Sequence, residues 1–176
     1  MTAIVEQIEH NTNFSLGRKK PEGFSVPWDL SEWIDTSLLQ NWVMAEVDAF
    51  NWNDPRLRAL LERHPEFQPR ELLALSVYAY TIGILDSEEI SFQSVHGSPL
   101  HSMSRGCLHS SRDLSRFRKT NRGLIRYVLT QVLKRAARHR YGFGLLLPAG
   151  LRRVLEQNAG ERLELARHMD RAAEGA

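Results

Sequence analysis

Arg112, Ser115, Arg116 and Lys119 recur at spacings that put them on one side of a helix advancing about 100° per residue. With Arg112 at zero, Arg116 falls at about 40° and Lys119 at about −20°, while Leu114 and Phe117 fall at about 200° and 140°, on the opposite side. Two guanidinium forks, an ammonium and a hydroxyl displayed together suit the guanine edges and phosphate oxygens of duplex DNA in its major groove. Arg118, Arg122 and Arg126 follow, and they are expected to grip the phosphate backbone. The candidate DNA-binding set is therefore Arg112, Ser115, Arg116, Arg118, Lys119, Arg122 and Arg126.

The surrounding charge points the same way. From Arg105 to Arg140 there are eleven lysines and arginines and one acid, Asp113, a net +10 in a chain whose total is +2. The rest of the chain therefore sums to −8. Such asymmetry suits a polyanion docking on one face of an otherwise acidic molecule.

Other constellations are weaker. His96, His101, Cys107 and His109 fall within fourteen residues, but their spacing fits no common zinc finger and holds no paired CxxC, so no metal is expected. Ser102, Ser104 and His109 lack a nucleophile elbow and an orienting acid. YGFGLLLPAG lacks the P-loop lysine and a preceding strand. No cofactor is expected.

The elements that must position the basic face read as helices throughout; alternating strand patterns are hard to find. Ser110 and Asp113 have capping-box spacing at the start of the basic helix. A second helix from about Thr120 or Asn121 is expected to bury Leu124, Val128, Leu129, Val132 and Ala136, and to carry Arg122, Arg126, Thr130, Lys134 and Arg138 as a polar stripe. Upstream, LLALSVYAYTIGIL is apolar on every side and is expected to be the central post, with Gly83 in its C-cap region. Ser87 before Glu88 and Glu89 reads as the N-cap of a further short helix. Asp54-Pro55 starts another, through Leu57, Leu60 and Leu61. The block Trp28 to Trp52 holds all four tryptophans, with Trp42, Val43, Val47 and Phe50 at helical spacing for core packing.

The fold class is all-α: a compact multi-helix domain with a helix-turn-helix-like unit and a C-terminal helical pair. Residues 1–27 read as an N-terminal arm, 28–141 as the helical domain, and 142–176 as an extension whose pair spans Pro148 to Gln157 and Gly160 to Ala172. The run Leu72 to Leu85 is too short to cross a bilayer. The start, MTAIVEQIEH, carries acids where a secretory signal would be basic, so a cytoplasmic, nucleoid-associated location is expected. Cys107 is the only cysteine, so no internal disulfide forms.

The run RELLALSVYAYTIGILDSEEI, followed after a gap by SSRDLSRFRKTNRGLIRYVLTQVLKRA, resembles the N-terminal helical domain of bacterial insertion-sequence transposases. The likeness covers Pro69 to Ala137, more weakly back to Trp28, and is most distinctive at YAYTIG and SRFRKTN. It implies DNA binding by the helical domain, and it carries Arg112, Arg116, Phe117, Arg118 and Lys119 into that role. Glu88 and Glu89 stand where the family has a basic pair, so no DNA contact is carried onto that earlier helix. Where a tryptophan is common in the family's linker, this chain has VHGSPLHSM. The family's catalytic domain holds divalent metal on Asp, Asp and Glu. After Arg140 only Glu156, Glu161, Glu164, Asp170 and Glu174 remain, in a helical tail without strands to position them, so transposition chemistry is not expected.

Together these readings predict a non-enzymatic protein that binds double-stranded DNA, a transcription regulator or a repurposed transposon domain. A homodimer is expected in preference to a monomer, because two half-sites multiply affinity. The alternative is a protein-interaction module, or a truncated transposase remnant, whose acidic N-terminal half binds a protein partner.

Overall fold

The computed structural model describes residues 24–52, 69–96, 99–104, 108–143 and 146–174. Residues 1–23 of the N-terminal arm, the helix expected after Asp54-Pro55, and Cys107 lie outside them. A 3-10 turn, Leu30–Glu32, leads into α1 (Thr36–Asp48), α2 (Pro69–Thr81), α3 (Ser87–Val95), α4 (Pro99–Ser104), α5 (Ser111–Thr120), α6 (Arg122–Tyr141) and α7 (Ala149–Glu174). Among the described residues there is no strand, and the all-α expectation holds. No helix of the described residues is long and apolar enough to cross a membrane.

α2 is the central post. Every residue from Leu72 to Thr81 is buried, and the helix packs against α1, α3, α4, α5 and α6. Being surrounded is what allows a helix to be apolar all round. It ends as a Schellman motif at Gly83, whose φ is +79°. The Ile84 N–H donates to Ala79 O at 2.9 Å, and the Gly83 N–H reaches Tyr80 O at 3.4 Å.

Two boundaries differ from the sequence reading for tertiary reasons. Asp86, not Ser87, caps α3, its carboxylate accepting from the Glu88 N–H at 2.9 Å. Ser87 is buried inside the helix and donates its hydroxyl to Asp170 at 2.8 Å, 83 residues later. The expected C-terminal pair is a single helix of 26 residues. Leu151, Leu155, Ala159, Leu163 and Ala166 lie buried along one face, and Gly160 sits where α7 crosses Arg126 of α6. A mid-helix glycine costs about 1 kcal/mol, less than this continuous apolar face contributes on burial.

The helix-turn-helix-like unit is also altered. α5 and α6 are separated by Asn121 alone, while α3 packs on α5 but is separated from it in sequence by α4. Neither neighbour joins α5 by a tight three- or four-residue turn. Asn121 serves α5, donating from its side chain to Phe117 O at 3.0 Å, and gives α6 no side-chain cap.

Candidate nucleic-acid interface

α5 is built as a rigid presenter. The Ser110 hydroxyl accepts from the Asp113 N–H at 3.1 Å, while the Asp113 carboxylate accepts from the Ser110 hydroxyl at 2.6 Å and its N–H at 3.4 Å. This is the capping box that the spacing predicted. Leu114 and Phe117 are fully buried, which fixes the roll of the helix. Arg112, Arg116 and Lys119 are exposed on the other side, with Ser115 half-buried between them.

Arg118 departs from its expected role. Its side chain is only 3% exposed. Its Nη1 donates to Leu85 O at 2.7 Å, and its Nη2 donates to the Ser87 hydroxyl and to the Asp170 carboxylate. The guanidinium also lies over the Tyr80 ring, 5.5 Å from its centroid. Arg118 thus ties α5 to the start of α3 and to α7, and it is not available to a phosphate backbone. A signal existed in the sequence: Arg118 lies at about 240° from Arg112, nearer to Leu114 than to the cationic side.

The stripe on α6 is likewise a seam between helices. Going down α6, Arg122 pairs with Glu164, Arg126 lies against Gly160, and Lys134 pairs with Glu156 at 2.9 Å. With Arg118–Asp170 these partners run antiparallel along α7, so three of the tail's five acids neutralise part of the basic stretch. Thr130, expected on the polar side, is buried and donates to Arg126 O at 2.7 Å. Leu124 is only half-buried, whereas Val128, Leu129, Val132 and Ala136 are buried as expected. Arg122 and Arg126 remain accessible in part, but the Arg122–Glu164 pair competes with any phosphate.

Two cations that the sequence reading passed over join α5. Arg167 and Arg171, one turn apart on α7, share a cavity lining with Lys119 and Ser115. Their i, i+4 spacing was visible in the sequence; their proximity to α5 depends on α7 being continuous. A groove of about 480 Å³ has Arg112, Arg116 and Lys119 on one wall, with Asp86, Glu88 and Asp170 among its other lining residues. The groove thus carries both signs of charge, with acids from α3 and α7 opposite the cations of α5.

The histidines are used locally. His96 approaches Phe92 O at 2.7 Å and stacks on the Phe92 ring, and His101 approaches Ser94 O at 2.8 Å. The Ser102 and Ser104 hydroxyls donate to Pro99 O and His101 O. No group of three or more potential ligands converges on a metal position among the described residues. Comparison with family models, curated proteins and solved structures found no match to this chain.

Proposed function

We propose that this protein binds double-stranded DNA through the outer face of α5, as a non-catalytic regulator or repurposed transposon domain. The observation that carries the reading is the rigid display of Arg112, Arg116 and Lys119 on one exposed face of a capped helix whose other face is fully buried. Arg112 and Arg116 reach base edges or phosphates, Ser115 and Lys119 contact the sugar-phosphate backbone, and Arg122 and Arg126 contribute at the edge. The resemblance to transposase N-terminal domains supports the same role, with a nucleoid-associated location following from it. Homodimerisation would use Leu165 and Met169, exposed apolar side chains one turn apart on α7.

The test is electrophoretic retardation of duplex DNA by wild type and by Arg112→Glu/Arg116→Glu. The variant should lose retardation while keeping its helical circular dichroism. The neutral pair Arg112→Gln/Arg116→Gln should lower the steepness of log affinity against log salt by about 2. Unchanged DNA binding in the charge-reversed variant would sink the proposal. A protein partner retained after nuclease treatment, without salt-sensitive DNA affinity, would favour the interaction-module reading instead.

A further inference from the structure

Where α5, the first turn of α6 and the last third of α7 meet, a cavity of about 80 Å³ opens to the surface. Its floor is apolar and fixed: Tyr80, Ile125 and Leu163 are all buried. Its walls carry five cations, Arg118, Lys119, Arg122, Arg167 and Arg171, beside the Ser115 hydroxyl. Two carboxylates answer them. Asp170 takes Arg118, and Glu164 is shared between Arg122 and Arg167. Five cations against two acids leave a net +3 around one small space.

A second, independent observation concerns donors. The Nε of Arg118 and the Nε of Arg167 are both buried without a hydrogen-bond partner, and both residues line this cavity. Buried N–H groups are nearly always satisfied, so an acceptor placed within reach of either donor would be stabilised. α6 begins at the same wall with Arg122, and no side chain caps its N-terminus. The positive end of a 20-residue helix adds to the attraction for an anion.

We propose that this cavity binds a phosphate group, with Arg167, Arg171, Lys119 and the Ser115 hydroxyl contacting its oxygens. The net +3 suits the dianion of a phosphomonoester or the more highly charged pyrophosphate, and the apolar floor takes the body of a small ligand. The enclosed floor favours a monoester over the diester of a duplex backbone. The site shares Ser115, Lys119 and Arg122 with the proposed DNA-binding face but stands on the cavity and its charge.

The full chain is melted by circular dichroism in rising inorganic phosphate or pyrophosphate, with ionic strength held constant by sodium chloride. Wild type should show a saturable rise in Tm, about 5–10 °C at one hundred times Kd. Arg171→Gln replaces an exposed residue and should fold normally; its half-saturation should rise at least tenfold, and Arg167→Gln should behave alike. Arg152→Gln, an exposed arginine at the far end of α7, should respond like wild type. No saturable shift in wild type, or equal shifts in wild type, Arg167→Gln and Arg171→Gln, overturns the proposal. Retained DNA retardation by Arg171→Gln assigns the phosphate to a small ligand, whereas parallel loss assigns it to the DNA backbone. Arg112→Glu/Arg116→Glu should keep the pyrophosphate response, so failure of the DNA-binding reading and failure of this one are separable.

Discussion

Arg162 of α7 donates to the backbone oxygen of Trp28 at 2.8 Å, across 134 residues of sequence, and lies over the Trp28 ring at 4.8 Å. The same guanidinium, fully buried, donates to Pro27 O at 2.5 Å, to Tyr80 O and to the Asn158 side chain at 2.9 Å. No carboxylate pairs with it among the described residues; carbonyl dipoles hold the charge. One side chain thereby fastens the entry segment at Pro27 and Trp28, the end of α2 and α7. Arg162→Met keeps much of the volume but leaves three carbonyls without their donor, and should destabilise by about 3 kcal/mol or more. Arg162→Lys cannot fork across them and should fall between the two. Urea unfolding measures both; a loss below about 1 kcal/mol for Arg162→Met would contradict the fastening role.

The Arg118–Asp170 pair should behave as a buried unit. Arg118→Met strands Asp170 in a site that is 12% exposed, and should cost about 3–5 kcal/mol. Asp170→Asn leaves the guanidinium its bonds to Leu85 O and Ser87 and should cost less. A double-mutant cycle should return a coupling of about 1 kcal/mol or more; additive losses would show that the two residues act separately.

Three glycines should respond in three ways to alanine. At Gly83, with φ +79°, a Cβ would stand 3.1 Å from Trp28 O, the oxygen that Arg162 binds. Gly83→Ala should lose about 2 kcal/mol or more and be non-additive with Arg162→Met. Gly142, at φ +66° with open space around it, should lose about 1 kcal/mol. Gly160 lies inside α7, where a Cβ would make ordinary contact with Arg126 at 3.6 Å, so Gly160→Ala should stabilise by about 0.5–1 kcal/mol. Loss of stability on Gly160→Ala would argue against α7 being one helix.

The acid limb of the stability profile should carry a histidine signature. Burial pushes the His109 imidazole below its ordinary 6.5, although Asp113 and Glu71 pull it partly back. The unfolded chain then binds the proton more readily, so this contribution is present at neutral pH and is lost as pH falls through 6.5 and below. His109→Gln should flatten urea midpoints between about pH 7 and 5; an unchanged slope would remove His109 from the account.

At high pH two tyrosines oppose one arginine. Burial raises Tyr78 and Tyr80 to about 12 and lowers Arg162 to about 10. Between 10 and 12 the folded state retains tyrosine protons that the unfolded state releases, so stability falls as pH rises. Arg162 acts in the opposite sense, and the two tyrosines outweigh it. A tyrosinate absorbance titration should show Tyr78 and Tyr80 ionising near 12 together with the loss of helix; their ionisation near 10 in the folded protein would contradict the burial.

Local and periodic features were legible in the sequence. The apolar run of α2, the Ser110–Asp113 box, the Gly83 stop and the inward turn of Leu114 and Phe117 depend on spacing within a few residues, and spacing is what a linear chain displays. The outward side of Arg112, Arg116 and Lys119 follows from the same periodicity. What only the tertiary structure decided is where charges end. Ser87 looks like a cap until Asp170 and Arg118 claim it, Gly160 looks like a break until α6 packs across it, and Arg118 and Arg122 look like free cations until α7 lies beside them. An ion pair across tens of residues leaves no periodic trace, and its partners become neighbours only when two helices have buried a common apolar face.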